Sequence, residues 1–231
     1  MLSLVIPMYN EVRRIASTVE TVRAYLDTLG KPYEIIVVDD GSTDGSAEVV
    51  AAISGITVVS HQPNRGKGYT VRQGVLASKG EIVAFTDVDL SAPIEELGKL
   101  LAAFDSGADI AIGSRGLKTS QLGVHQSKFR ELGGKSLNLI IRALAIRGIK
   151  DTQCGFKLFR GDAARKIFQK CILDGWGFDV EVLRLARLMG YQIAEVPVRW
   201  NHCADSRIRP LQAGLQVMKD LFRIRLHRYE L

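Results

Sequence analysis

The strongest constraint on this chain is a rhythm. Over the first 113 residues, short apolar runs rich in β-branched side chains alternate with longer amphipathic stretches. The runs at 2–6, 34–38, 56–60, 81–85 and 109–112 have the length and near-continuous apolarity of strands buried on both faces. Between the first two, residues 11–29 place Ile15, Val19, Val22 and Leu26 at helical steps. Pro93, just after Ser91, suits the first turn of another helix. Such alternation implies an α/β chain with a doubly wound, mostly parallel sheet flanked by helices, and ligands at the strands' carboxyl ends.

Past Arg115 the rhythm changes. Residues 116–126 are rich in Gly, Ser, Thr and Gln without a period and read as a mobile loop; 127–147, 162–169 and 178–189 read as helices, and 156–159 and 193–198 as strands. No Pro- or Gly-rich linker divides the chain, so residues 1–231 are expected to form a single domain. Hydrophobic residues at 46% and charged residues at 24% exclude a disordered or fibrous chain. The longest apolar stretch, 137–146, is broken by Arg142 and falls short of the about 20 residues that a spanning helix needs. The first apolar run has no basic segment before it and meets Pro7 and Glu11, unlike a secretory signal, so a cytoplasmic location is expected. Cys154, Cys171 and Cys203, odd in number and widely spaced, are expected to be reduced.

Charge is unevenly divided. Residues 1–109 hold 9 Lys and Arg against 15 Asp and Glu, and residues 110–231 hold 22 against 10. A basic second half suits a phosphorylated substrate or an anionic membrane surface. No nucleic-acid-binding motif accompanies the charge, so no nucleic-acid partner is expected.

Asp87-Val88-Asp89 follows the apolar run that ends at Phe85. It puts two carboxylates at a strand's carboxyl end, pointing the same way if the strand continues, and hard oxygen ligands suit Mg²⁺ or Mn²⁺ on a diphosphate. Asp39-Asp40-Gly41-Ser42 ends another strand on the same rim, where carboxylates accept hydrogen bonds from a base or ribose or else cap a turn. The first strand adds Tyr9, able to face a base, and Glu11 near it. Asn64-Arg65-Gly66-Lys67-Gly68 precedes a helix, and backbone N–H groups at a helix start attract phosphate.

Together PMYNE, VVDDGS, NRGKG, DVDLS, GSR at 113–115 and DTQCGFKLF at 151–159 resemble the inverting glycosyltransferase family 2, most closely its polyprenyl-phosphate branch of dolichyl-phosphate glucosyl- and mannosyltransferases. The resemblance implies a GT-A fold, with a donor half over 1–115 and an acceptor half over 116–231. It implies that Pro7, Tyr9, Glu11, Asp39, Asp40, Lys67 and Asp87 bind a nucleotide diphosphate sugar of the UDP-glucose or GDP-mannose type, with Asp87 and Asp89 holding the metal. Ser91 stands where mannosyl relatives often carry Gln, which favours a glucosyl donor. The resemblance also assigns Arg115, Arg130, Ser206 and Arg209 to the acceptor phosphate. Arginine's planar fork suits that group. Asp179 is the expected base or site-orienting acid, with Glu181 the alternative; acids in a helix's first turn also simply favour its dipole.

Residues 210–229 read as a basic amphipathic helix, with Leu211, Leu215, Met218, Leu221, Phe222 and Ile224 beside Lys219, Arg223, Arg225 and Arg228. Such a helix can lie on an anionic membrane near a polyprenyl phosphate or pack on the chain's own core. The alternatives are a family 2 transferase with a polysaccharide or other non-lipid acceptor, and a noncatalytic sugar-nucleotide-binding protein.

Overall fold

The computed structural model describes residues 1–122, 146, 148–201 and 210–231. Most of the helix expected over 127–147, the end of the loop at 116–126, and Arg130, Cys203, Ser206 and Arg209 lie outside the described residues. The described chain runs β1 (Leu2–Met8), α1 (Ile15–Thr28), β2 (Tyr33–Asp39), α2 (Ser46–Ala51), β3 (Thr57–Ser60), α3 (Lys67–Ala77) and β4 (Ile82–Phe85). A 3-10 turn (Ile94–Glu96) leads into α4 (Leu97–Asp105), followed by β5 (Ile110–Ser114), β6 (Gln121–Leu122), β7 (Lys157–Arg160) and α5 (Gly161–Lys170). α6 (Phe178–Leu188), β8 (Ile193–Pro197), β9 (Arg199–Trp200) and α7 (Pro210–Leu226) complete it.

Seven strands form one sheet in the order β3-β2-β1-β4-β7-β5-β8, and β6 pairs with β9. Within the large sheet all neighbours are parallel except β7, which runs antiparallel to both β4 and β5. Alternate strand residues face opposite ways, so the two sides of the sheet carry two cores. Val5, Ile36, Val38, Val83, Phe85, Ile110 and Ile112 pack with α3, α5, α6 and α7. Leu4, Ile6, Ile35, Val37, Ala84, Ala111 and Leu158 pack with α1 and α4. Pro7 is tolerated inside a central strand because β4 pairs with β1 only from Leu2 to Val5, leaving no ladder bond for the missing N–H to supply on that side.

Two helix starts differ from expectation. α1 begins at Ile15, not at 11, because the Glu11 N–H is held by Ser46 Oγ at 2.7 Å and the Val12 N–H by Asp44 at 3.2 Å, which fastens the segment to the β2–α2 loop. Pro93 has an extended ψ of 144° and stands before the helical turn instead of within it.

α3 lies directly on β1 and β2 through Gly74: a Cβ there would sit 2.3 Å from Val5 Cγ1 and 2.8 Å from Val38 Cγ2. Gly74→Ala is therefore expected to destabilise the fold by about 1–2 kcal/mol net, because overpacking outweighs the helix propensity gained. Urea unfolding midpoints measure this, and an unchanged or raised midpoint would contradict the close packing.

Candidate active site at the carboxyl rim of the sheet

The parallel strands β1, β2, β4 and β5 all end on one rim, and the reversed β7 starts there. Phe85 and Ile112 both stand opposite Lys157 in the ladder, so the residues leading into β7 run beside the outgoing ends of β4 and β5. Gly155 thereby meets Asp87: a Cβ at Gly155 would lie 2.0 Å from Asp87 Oδ2 and 3.0 Å from Oδ1. Only glycine leaves room for that carboxylate.

Beyond Phe85 the chain turns. The Leu90 N–H donates to the Asp87 carbonyl at 3.1 Å and Leu90 takes a positive φ of 43°, so the extended alternation expected to align Asp87 with Asp89 does not continue. The turn is braced by Thr18 Oγ1, which donates to the Val88 carbonyl at 2.7 Å. Asp87 is half-buried and Asp89 exposed. The Ser91 N–H and hydroxyl each donate to Asp89 at 2.9 Å, and the Asn201 N–H, just past β9, reaches the Ser91 carbonyl at 2.7 Å.

At the β1–β2 corner, Asn10 takes a positive φ of 56°, and its side-chain oxygen accepts from the Thr43 N–H at 2.8 Å. Tyr9 is exposed, and Glu11 is half-buried beside Arg14. Asp39 Oδ1 accepts from the Ser42 N–H at 3.1 Å. The Asp40 carboxylate is more heavily engaged, accepting from Asn64 Nδ2 at 2.9 Å, the Arg65 N–H at 2.7 Å and the Gly66 N–H at 3.0 Å. Asp40 thus anchors the 61–66 loop in front of α3.

The start of α3 differs from the phosphate cradle that its sequence suggests. The Tyr69 N–H donates to the Asp174 carbonyl at 3.1 Å. A Cβ at Gly68 would meet the Leu173 and Gly175 carbonyls at 2.8 and 2.9 Å, so the 173–175 segment covers this helix end. Arg65 and Arg72 both pair with Asp174, at 3.1 and 2.7 Å.

Lys67 is the cation that faces the rim. Its Nζ lies 2.5 Å from Asp87 Oδ1 and 5.5 Å from the Trp176 ring centroid. Burial alone would lower its pKa, but Asp87, Asp179 and Asp89 outweigh it and hold the ammonium above the ordinary lysine value. Among the described residues, no three His, Cys, Asp or Glu form a metal cluster. A divalent cation would find two carboxylates here, Asp87 and Asp89, and needs further oxygens from a substrate diphosphate, which hard cations accept. Asp87 against Gly155 fits that use.

Asp179 lies in the first turn of α6, buried, and pairs with Lys157 Nζ, which also donates to the Cys154 carbonyl at 2.6 Å. Burial pushes the Asp179 carboxyl upward against the pull of Lys157 and Lys67. Glu181, two residues on and about 200° around the helix, is a brace: it accepts from the Ile172 and Leu173 N–H groups at 2.8 and 2.9 Å and from the Tyr229 hydroxyl at 2.7 Å. Both of its oxygens are thus engaged by backbone and side-chain donors of the fold. α7 touches the same region through Asp220, against which a Cβ at Gly177 would collide at 2.5 Å.

Arg115, expected at an acceptor phosphate, is held by Asp151 in a two-pronged pair at 2.7 and 2.9 Å and stands 4.7 Å from the Trp200 ring centroid. Lys157, Asp151 and Trp176 are the side chains of the site that sequence reasoning did not single out. The signal for Lys157 was a lysine between Phe156 and Leu158 in an apolar strand, since a lysine is rarely fully buried unless paired. Cys154 and Cys171 are buried and free, as expected, and burial followed by the charge of Asp151 pushes the Cys154 thiol up to about 12.

The sheet order, the reversed strand and the acidic rim define the GT-A glycosyltransferase fold. Glucosyl-3-phosphoglycerate synthase from Mycobacterium tuberculosis, solved with Mn²⁺, UDP-glucose and phosphoglyceric acid, superposes with a TM-score of 0.73 at 22% identity over 97% of this chain and 79% of its own. Mannosyl-3-phosphoglycerate synthase from Rubrobacter xylanophilus gives 0.71 at 19% over 96% and 73%. Residues 3–168 match the model of Glycosyl transferase family 2, and the chain belongs to that family. Dolichyl-phosphate beta-glucosyltransferases from Dictyostelium discoideum and Homo sapiens are 36% and 35% identical, each across 97% of this chain and 73% and 75% of their own lengths. The Saccharomyces cerevisiae enzyme of the same name is 34% identical over 97% and 74%.

The Arg115–Asp151 pair yields a pH prediction. Burial pushes the Asp151 carboxyl up, but Arg115's charge and hydrogen bonds outweigh it, and the folded pKa lies below the ordinary value. A carboxyl lowered on folding adds stability that is complete above its unfolded pKa and is lost as pH falls through the folded one. Asp151→Asn should therefore cost about 2 kcal/mol at neutral pH, less than a fully buried pair because Arg115 is partly exposed. The deficit against wild type should shrink as pH drops below the carboxylate range. Urea midpoints across pH measure it; a deficit constant with pH would contradict the pairing.

Proposed function

We propose that this protein transfers glucose, with inversion, from a UDP-glucose-type nucleotide diphosphate sugar to dolichyl or another polyprenyl phosphate. The observation that carries this reading is the gathering of Asp87, Asp89 and Asp179 around Lys67 at the carboxyl rim. The curated relatives named above support the lipid acceptor and the glucosyl donor. Asp87 and Asp89 would hold Mg²⁺ or Mn²⁺, which supplies positive charge to the departing diphosphate. Lys67 adds a second cation from the α3 side. Pro7, Tyr9, Glu11 and Asp39 flank the donor's nucleoside, while Asp40 holds the neighbouring loop in place. An acceptor phosphate is already ionised at neutral pH, so Asp179 orients the site more than it removes a proton. Arg115, kept in a fixed plane by Asp151, and Arg130, Ser206 and Arg209 complete the acceptor side in this reading, with residues 1–115 as the donor half and 116–231 as the acceptor half of one domain.

Among the described residues no helix is long and apolar enough to cross a membrane. α7 divides its side chains by face: Val217, Leu221 and Ile224 are buried, whereas Leu215, Phe222 and Leu226 are 58%, 56% and 81% exposed. The exposed three follow one helical stripe with Lys219, and Arg223, Arg225 and Arg228 are exposed near it. We assign this stripe to peripheral contact with the cytoplasmic membrane face, since apolar anchors within basic side chains suit anionic lipid.

Incubation with labelled UDP-glucose or GDP-mannose and polyprenyl phosphate, followed by organic extraction, tests the reaction. Lipid-phase glucose is expected, EDTA should abolish it, and Asp89→Ala should lower turnover at least about a hundredfold while the chain still folds, its melting temperature reduced only by the loss of the two hydrogen bonds from Ser91. Label confined to water-soluble product would favour a non-lipid acceptor, and no transfer from any donor the noncatalytic alternative. Separately, replacing Leu215, Phe222 and Leu226 together by Ser should reduce sedimentation with anionic vesicles at least about tenfold; undiminished binding would remove α7 from the membrane reading.

A further inference from the structure

The side chain nearest to Asp87 is not another acid but Lys67, at 2.5 Å from Oδ1. The other oxygen, Oδ2, is the one backed onto Gly155, where even a methyl group would overlap it at 2.0 Å. Oδ1 is the oxygen farther from Gly155, and it is the one the ammonium holds. Lys67 is held in place from the α3 side, with Gly66 at a φ of 102° against the Asp174 carbonyl and Gly68 against Leu173 and Gly175. Asp89, the other acid of the pair, is already accepting two hydrogen bonds from Ser91.

We infer that Lys67 and a divalent cation compete for Asp87 Oδ1, so that the site admits the cation readily only when a diphosphate draws the ammonium away. Lys67 is then a tethered counter-ion that neutralises the acidic rim between turnovers and hands Asp87 over when the donor arrives. The phosphate oxygens give the ammonium a new anionic partner, while the carboxylate becomes available to the metal. Binding of the two ligands is coupled through a single side chain, and such coupling is reciprocal: nucleotide raises the affinity for the cation by the factor by which the cation raises the affinity for nucleotide. This rests on the metal assignment proposed above for Asp87 and Asp89.

The test measures Mn²⁺ binding to the full chain by electron paramagnetic resonance of the free ion, with and without UDP, and needs no turnover. Without UDP, Lys67→Met should bind Mn²⁺ about tenfold more tightly than wild type, within the usual range of coupling between sites. Lys67→Gln should do the same, and serves if the Met variant does not fold, whereas Lys67→Arg, which keeps the charge, should stay near wild type. With saturating UDP the advantage of the uncharged variants should vanish. Equal Mn²⁺ affinity of wild type and both uncharged variants without UDP, including no binding by any of them, overturns the competition. Wild type that takes up no Mn²⁺ even with UDP removes the metal assignment itself, and is thereby distinguished from failure of the competition alone.

Discussion

Because β7 runs against both of its neighbours, the segment that leads into it reaches the edge of the sheet where β4 and β5 leave. In a wholly parallel sheet that edge would be furnished only by loops following strands. Here it also receives a run that precedes one, and Asp151, Cys154, Gly155 and Lys157 come with it. Asp87 has a wall behind it, Asp179 has a cation beneath it and Arg115 has a partner for that one reason. The second half of the chain contributes to the site from inside the sheet, not merely from over it.

The charges brought together in this way are arranged in couples: Lys67 with Asp87, Lys157 with Asp179, Arg115 with Asp151. Lys157 is completely buried, and an isolated ammonium in that position would be prohibitively unfavourable. Its carboxylate and carbonyl partners make it tolerable, and they also fix the direction of Asp179. The couples differ in access. Asp87 and Lys67 retain some exposure, while Lys157 and Asp179 have almost none, so exchange of partners belongs to the outer couple and rigidity to the inner one.

Much of the sheet was legible because parallel strands carry uninterrupted β-branched runs, and each run from 2–6 to 109–112 became a strand, although β3 stands at the sheet's edge and is largely exposed, not buried on both faces as its run suggested. The direction of β7 was not legible, since a run as short as Phe156-Lys157-Leu158-Phe159 carries no mark of which way it points. The acids at 39, 40, 87 and 89 were found as strand-end residues, but their use was hidden. Asp40 anchors a loop through partners distant in sequence, and the turn after Phe85 replaces the alternation that an extended chain would have given. The α3 start resembled an anion site because nothing local reveals that residues 173–175 cover it. Asp179 and Glu181 differ by only two positions, and their opposite fates follow from the helix turn between them. In α7, periodicity located the helix but not its inner face: Leu221 and Phe222 are adjacent in sequence, one buried and one exposed.

The absence of a side chain at position 177 lets α7 approach the first turn of α6 at backbone distance, and the Tyr229 hydroxyl closes a second link to that helix through Glu181. α7 and the residues just after it are thereby clasped to the turn that carries Asp179. A larger residue at 177 would press on Asp220, lever α7 outward and loosen the clasp, so the seat of that helix and the position of the acid at 179 rest on the same missing side chain.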